Sequence, residues 1–459
     1  MPVDLLLDRF REAAGKDAIV WRDRTFSYAW LRSEIERWSG RLEAEGVERG
    51  ATVGLEADFS PRAVALFFAL AARRCVIVPL TLSVEAQKPR FREIAEVEVR
   101  ILIDGADVRF HRTGASANHE LLTTLRDRDH PGLVFFTSGS TGEPKAALHD
   151  LVPLLEKFKV QRHSKRTIAF LLFDHIGGIN TLLYVLSNGG CAITLEDRSP
   201  ESVCATIERH RAQILPTSPT FLNLLLLAEA YETHDLSSLE LVTYGTEVMP
   251  ESTLRRFHAL FPDLRLLQTY GLTETGILRS KSRSSDSLWV KVGGEGFETR
   301  VVDGLLEIRA ESAMLGYLNA ESPFTDDGWL RTGDAVEVDG EYVRFLGRDS
   351  DVINVGGEKV YPSEVEGVLQ EMSGVVDVTV TGEPNPLTGQ MVTAHLHLSR
   401  GEGLAEFRKR LHAHCRDRLP RFKIPQKVTL VDHAMHGERF KKIRRAPSPM
   451  SSALRTSST

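Results

Sequence analysis

Residues 137–145 read Thr-Ser-Gly-Ser-Thr-Gly-Glu-Pro-Lys and follow directly on the apolar run Gly132-Leu-Val-Phe-Phe136. The run has the length and composition of a buried strand. The turn after it is built of small residues, so its backbone N–H groups can approach an anion closely. Hydroxyls of Thr137, Ser138, Ser140 and Thr141 add donors, Gly139 and Gly142 keep the backbone open, and Lys145 adds a positive charge. Such a loop suits a polyphosphate. It is not a Walker A loop, because the GxxxxGK[ST] spacing is absent.

Outward from that loop, apolar β-rich runs recur at 51–57, 75–80, 99–104, 167–172, 191–196, 212–218, 239–245 and 264–271. Helical patterns at 61–73, 200–211 and 250–261 lie between several of them. The alternation predicts a large α/β body whose sheets are flanked by helices. After about Gly293 it gives way to a β-rich part of short strands with Gly and Asp turns, and Asp339-Gly340 between two alternating runs is a hairpin signal. A third section begins near Ser350: a helix at 362–370, strands at 375–381 and 392–398, and a basic helix at 404–419. This reads as a small α+β domain. The expected division is therefore a large domain over 1–349, a small one over 350–445, and a Pro/Ser/Thr-rich tail over 446–459 expected to be disordered.

The chain has 459 residues, 42% hydrophobic and 26% charged, the profile of a globular protein. Its longest apolar stretch, 63–80, is interrupted by Arg73 and Arg74, which argues against a membrane span. Asp4, Asp8 and Glu12 stand where a secretory signal needs apolar residues, so the start reads as an amphipathic helix and the protein as cytoplasmic. Cys75, Cys191, Cys204 and Cys415 show neither CxxC spacing nor a His/Cys cluster, and read as buried free thiols. The net charge of −6 opposes general nucleic-acid binding. Charge is uneven, however: residues 400–459 hold 15 Lys and Arg against 5 Asp and Glu. That bias allows a basic face for an anionic partner, or simply a solvated surface.

Four further segments carry chemistry. Tyr270-Gly-Leu-Thr-Glu-Thr275 follows an apolar strand; a Tyr at a strand end can stack on a base, a Thr can bond a phosphate, and a Glu can hold Mg²⁺. In Trp329-Leu-Arg-Thr-Gly-Asp334 a carboxylate sits in a tight turn suited to ribose hydroxyls, and Arg348 lies fourteen residues on, across the hairpin. Residues 347–366 end one body and start the next, with Gly356-Gly357 in a turn and Pro-Ser-Glu opening a helix. The last segment is Lys442-Ile-Arg-Arg445.

With these five motifs in this order and spacing, nearly the whole chain resembles the adenylate-forming superfamily: acyl- and aryl-CoA synthetases, peptide-synthetase adenylation domains and firefly luciferase. Thr25-Phe-Ser-Tyr-Ala-Trp-Leu31 resembles that family's early segment. The resemblance implies a large N-terminal and a small mobile C-terminal domain meeting at an active site. It implies ATP phosphates held by Thr137 to Lys145, adenine lined by Gly245, Thr246 and Glu247, and a base stacked on Tyr270 beside Gly271. Thr273 would contact the α-phosphate, Glu274 would bind Mg²⁺, Asp334 and Arg348 would hold the ribose, and Lys442 would bridge substrate carboxylate and α-phosphate. The implied reaction is ATP-dependent activation of a carboxylic acid to acyl-AMP, then transfer to coenzyme A. Rival readings are a stand-alone ligase loading a carrier-protein phosphopantetheine and a catalytically silent nucleotide binder.

Departures from the family pattern are visible. The hinge position, usually Asp or Lys, is Ser350, with Gly356 and Gly357 expected beside the thiol tunnel. Lys441 replaces the usual Gly before the C-terminal lysine; register with Ile443 and Arg445 selects Lys442 of the pair. Leu172-Phe-Asp-His-Ile-Gly-Gly178 resembles the acyl-CoA synthetase motif, placing His175, Gly177 and Gly178, with Gly276, at the substrate pocket. Asp174 keeps open an amino-acid substrate, since amino-acid-activating relatives bind the α-ammonium with an Asp after Phe.

Overall fold

The computed structural model describes residues 2–105, 107–138, 143–399, 402–433, 435–437 and 440–443. The tail expected to be disordered, 446–459, lies outside them, as do Gly139, Ser140, Thr141, Gly142 and Arg445, together with the Ser138 side chain.

Two seven-stranded sheets form the large body. The first runs, in spatial order, Gly316–Tyr317, Pro144–Asp150, Gly132–Ser138, Val76–Leu80, Thr52–Glu56, Val99–Asp104 and Asp107–Arg112. Its four central strands are parallel, and each edge is closed by antiparallel pairing. The second runs Arg265–Gln268, Leu241–Tyr244, Ile214–Thr217, Arg166–Ala169, Cys191–Thr194, Asp17–Trp21 and Arg24–Ser27. Strands this apolar and buried on both faces need helices against each face. Helix Pro61–Ala72 is the extreme case: Ser60 caps it, Pro61 opens it, and ten of its residues are buried. With Pro2–Glu12, Tyr28–Ala44 and Ile176–Ser187 it fills one core that includes Phe10, Tyr28, Trp38, Phe67 and Phe68. The Tyr28 hydroxyl ties this layer to the second sheet by donating to the Gly190 carbonyl at 2.7 Å.

The β-rich part is a six-stranded antiparallel sheet. It begins at Ser280, earlier than the composition suggested, because the polar stretch 280–292 pairs by backbone register rather than by apolar alternation. The hairpin expected at Asp339-Gly340 joins Leu330–Asp339 to Tyr342–Arg348.

Beyond it, helices Pro362–Gln370 and Leu404–Cys415 share an apolar core with Ile353–Val355, Glu358–Val360, Val375–Asn385, Gly389–Leu398 and Lys427–Val431. The basic helix stops at Cys415 instead of 419, since Pro420 disfavours helical backbone at Leu419. All four cysteines are free and buried. Among the described residues no helix is long and apolar enough to cross a membrane.

The parallel strands of each sheet bring their C-terminal ends to one edge. In open α/β sheets that edge is where ligands bind. Thr137 stands in the last turn-facing positions of one such strand, and Glu247 and Tyr270 emerge just beyond the ends of two others.

Candidate active site

Asp334 and Arg348 face each other as a cross-strand pair of the hairpin. Arg348 Nε lies 2.7 Å from Asp334 Oδ1, and the Tyr270 hydroxyl donates to Oδ2 at 2.5 Å. Thr332 Oγ1 accepts the Asp334 backbone N–H, and Arg348 Nη1 donates to the Thr332 carbonyl at 2.8 Å. Asp334 is 9% exposed. Burial raises its carboxyl above the ordinary value, against the pull of Arg348, Tyr270 and Lys441. The Tyr270 phenol is pushed well up by burial and by Asp334. One face of the Tyr270 ring stacks on Phe345, with centroids 4.4 Å apart and planes 18° apart, so the ring is held rigidly where an aromatic base could stack on it.

Glu274 lies in the turn between the short paired strands Gly271–Leu272 and Gly276–Ile277. Its Oε1 accepts the Tyr317 hydroxyl at 2.5 Å, and its carbonyl accepts the Met314 N–H at 2.8 Å. Lys145 Nζ sits 5.1 Å from the Tyr317 ring centroid. The end of the Thr137–Lys145 loop and the Thr273-Glu274 turn therefore meet through one tyrosine. Beneath them His149 is fully buried and its Nε2 donates to the Thr273 carbonyl at 2.6 Å; burial lowers its pKa to about 4, so the ring is neutral. Gly271 is required by close approach: a Cβ there would stand 2.6 Å from the Gly276 carbonyl oxygen.

Gly245, Thr246 and Glu247 form the next turn. A Cβ at Gly245 would meet the Thr269 carbonyl oxygen at 2.7 Å, and Thr246 has φ +73°, a strained value for a β-branched residue. Glu247 Oε1 accepts the Thr220 N–H at 2.7 Å at the start of helix Pro219–Ala228. Its Oε2 accepts the Lys442 N–H at 3.3 Å.

His175 is the N-cap of helix Ile176–Ser187, its Nδ1 accepting the Gly177 N–H at 3.1 Å. A Cβ at Gly178 would fall 1.9 Å from the Leu172 carbonyl oxygen and one at Gly177 2.8 Å from Leu171 Cδ1, so both glycines have a packing reason. Gly276, at φ +80°, faces Leu154. Asp174 is buried and accepts the Thr81 hydroxyl at 2.8 Å. Ser350 is exposed in a single 3₁₀ turn, Asp349–Asp351. Gly356 and Gly357 are the two positive-φ residues of the hairpin turn between Ile353–Val355 and Glu358–Val360.

Lys442 is not brought to this group. Its Nζ donates to the Val378 carbonyl at 2.9 Å and lies 3.5 Å from Glu366 Oε2. Tyr317, His149 and Phe345 belong to these constellations and carried no motif signal, whereas Glu366 closes the 347–366 segment without having been given a role there.

A family model described as AMP-binding enzyme matches residues 7–311, and one described as AMP-binding enzyme C-terminal domain matches 364–440. The chain belongs to the AMP-binding enzyme family. It is 28% identical to indoleacetate–CoA ligase of Aromatoleum aromaticum, over 91% of this chain and 92% of that one. It is 27% identical to 2-succinylbenzoate–CoA ligase of Bacillus pumilus, over 93% of both. An anthranilate CoA ligase solved with anthranoyl-AMP superposes with a TM-score of 0.81 at 23% identity, covering 96% of this chain and 95% of that one. As a member of this family the AMP-binding chain has the α/β body and small C-terminal unit that its sequence predicts.

Proposed function

We propose that this AMP-binding enzyme activates a carboxylic acid with ATP and passes the acyl group to the thiol of coenzyme A. The observation that carries the reading is one arrangement. A buried Asp334 paired with the exposed Arg348, with a stacked tyrosine, stands near a Glu–Tyr–Lys group at the strand ends of an AMP-binding family chain. CoA-ligase relatives match it over 91% and 93% of its length.

In the first step a carboxylate oxygen of the acid attacks the α-phosphorus. The bond from that phosphorus to the bridging oxygen breaks, and pyrophosphate leaves with the electron pair. Charge builds on the phosphoryl oxygens. Preplaced cations in a partly dry site lower that barrier by several kcal/mol. Lys145 with the loop amides serves the β- and γ-phosphates, Asp334 and Arg348 the ribose, Tyr270 the base and Thr273 the α-phosphate. Glu274, an oxygen donor with one oxygen engaged by Tyr317, fits the one or two carboxylates by which Mg²⁺ is usually held beside phosphates. When bound there, the ion neutralises phosphate charge. The Lys441–Lys442 pair brings a further cation from the small domain.

In the second step the thiolate sulfur attacks the acyl carbon and AMP leaves. The unit from 350 onward turns about Ser350 between the steps, and Gly356–Gly357 flank the thiol's path. His175, as an N-cap with Nδ1 engaged, carries its proton on Nε2 and offers it to the substrate carboxylate. Asp174, turned to Thr81 in the core, counts against an amino-acid substrate. The relatives' acceptor is CoA, so coenzyme A is preferred to a carrier protein. Four free thiols suit a reducing compartment, and the cytoplasm is the place proposed.

The test is pyrophosphate release from ATP and Mg²⁺ with indole-3-acetate, benzoates, octanoate and amino acids, each with and without CoA. Release that needs one acid and accelerates with CoA is expected. Release indifferent to CoA would refute the acceptor, and silence with every acid would refute the activity.

A further inference from the structure

The short strand Gly276–Ile277 follows the Thr273–Glu274 turn, and a lysine from a distant part of the chain is fastened to it. Lys157 stands just past the helix Leu151–Glu156, and its Nζ donates to the Ile277 carbonyl at 2.9 Å. Leu154, one turn back along that helix, packs beside Gly276: a Cβ added there would meet its Cδ1 at 3.3 Å. The Phe158 ring centroid lies 5.1 Å from the Lys157 ammonium. The lysine thus reaches the strand next to the turn from its apolar side.

What Lys157 lacks is a counter-charge. An ammonium has three N–H donors, and one of them is used here. Among the described residues no carboxylate stands within ion-pair distance of it. Arg279 adds like charge, and is itself answered by Glu295 at 2.8 Å. Burial first, and Arg279 second, lower the Lys157 pKa to about 7. Lys88, buried elsewhere in the large body, shows the other arrangement: it has both Glu85 and Glu56. A fold tolerates a desolvated ammonium when a carboxylate answers it. At Lys157 the described residues supply none.

We infer that Lys157 is a specificity-determining residue: the acid this enzyme activates carries a second carboxylate, remote from the reacting one, and Lys157 binds it. The inference rests on the acid-activating reading, in which the reacting carboxylate lies at the Thr273–Glu274 turn beside the α-phosphorus. From Glu274 to Ile277 the backbone spans at most about 10 Å. A ring or a short chain therefore separates the two carboxylates, and a long alkyl acid leaves the lysine unanswered. The second carboxylate supplies the missing counter-charge through short charge-assisted bonds and favours the protonated amine.

The test uses the full chain and matched pairs of acids with ATP, Mg²⁺ and CoA. The pairs are terephthalate against p-toluate, and adipate, pimelate and suberate against the monocarboxylates of equal length. At least one diacid is expected to exceed its singly charged partner by about tenfold or more in kcat/KM. Lys157→Met keeps the length and the apolar contacts and removes the charge. It should raise KM for that diacid about tenfold, with kcat, ATP affinity and the KM for the matched monoacid near wild type. Lys157→Arg, which keeps the charge, should retain part of the preference. The Met variant loses an unanswered charge and should unfold in urea no earlier than wild type. Monoacids favoured in every pair, or a diacid preference that survives Lys157→Met, overturns the inference while the ligase reading stands. A chain that turns over no acid of either kind overturns the ligase reading and this inference with it.

Discussion

Glu56 and Asp334 are both carboxylates buried in sheets, and their surroundings do opposite things to them. Glu56 ends the strand Thr52–Glu56 and is 1% exposed. Arg100 grips it with Nε at 2.8 Å and Nη2 at 3.0 Å, Arg92 lies at 2.9 Å, and Lys88 Nζ is 4.0 Å away. Burial pushes its pKa up, but the arginines outweigh burial and hold it below the ordinary value. Asp334 has one arginine, a phenol and the charge of Lys441, and burial still wins. The first carboxylate is saturated, so it is a structural knot. The second is left short of compensating charge, as a group reserved for a ligand would be.

The largest expected effect tests that contrast from the saturated side. Glu56→Gln leaves Arg92 and Arg100 without their carboxylate and the buried Lys88 with Glu85 alone, and should cost about 3–5 kcal/mol of stability. ATP affinity should stay near wild type; chemical denaturation and calorimetry measure the two. Asp334→Asn should do the reverse. Losing charge-assisted bonds to ribose removes about 1.5–3 kcal/mol of binding, or roughly 10–100-fold in kcat/KM for ATP, while stability moves by less than about 1 kcal/mol. The pH limbs differ in sign as well. Glu56, depressed when folded, contributes stability above its unfolded pKa that is lost as pH falls through its folded one. Asp334, raised when folded, favours the folded state more at acid pH, and that contribution fades as pH rises through its folded pKa. Equal responses of the two variants in both assays would erase the distinction.

How much of this was legible in the sequence depends on chain distance. Thr137 to Lys145, Tyr270 to Glu274 and Asp334 with Arg348 are short-range features, set by a strand, a turn or a hairpin register. The residues that complete them are remote and of ordinary type. Tyr317 reaches Glu274 across 43 positions, His149 reaches Thr273 across 124, and Lys442 reaches Val378 across 64. Phe345 was one of several apolar residues in an alternating strand. Strands were legible for the same local reason, whereas the sheet order that brings Gly316–Tyr317 beside Pro144–Asp150 depends on packing alone. The glycines at 177 and 178 show the limit from the other direction. The resemblance put them at the substrate pocket, but a Cβ at either would meet backbone or Leu171, so packing alone accounts for them.

His149 extends the comparison to a buried base on which burial outweighs the nearby Glu274 charge. It is neutral when folded, with its pKa lowered to about 4 by burial. Between about pH 6.5 and 4 the unfolded chain binds a proton that the folded one refuses, so stability rises with pH across that window. The slope should amount to about 3 kcal/mol in total. Urea midpoints measured from pH 4 to 7 should show it in the wild type and show it flattened in His149→Asn. An unchanged slope would assign the acid sensitivity elsewhere.

The smallest effect separates structure from chemistry at a single residue. His175 caps its helix through Nδ1, which accepts the Gly177 N–H and so leaves Nε2 as the ring's donor. Ala offers no cap, whereas Asn is a good one. His175→Ala should therefore lose about 1 kcal/mol of stability and His175→Asn only a few tenths. Neither retains an Nε2–H. If that donor meets the substrate carboxylate, both variants should raise KM for the acid by a similar factor, of the order of tenfold for one lost hydrogen bond. An Asn variant with wild-type stability and wild-type KM would make His175 a cap and nothing more, and would place it with Glu56 among the structural groups rather than with Asp334.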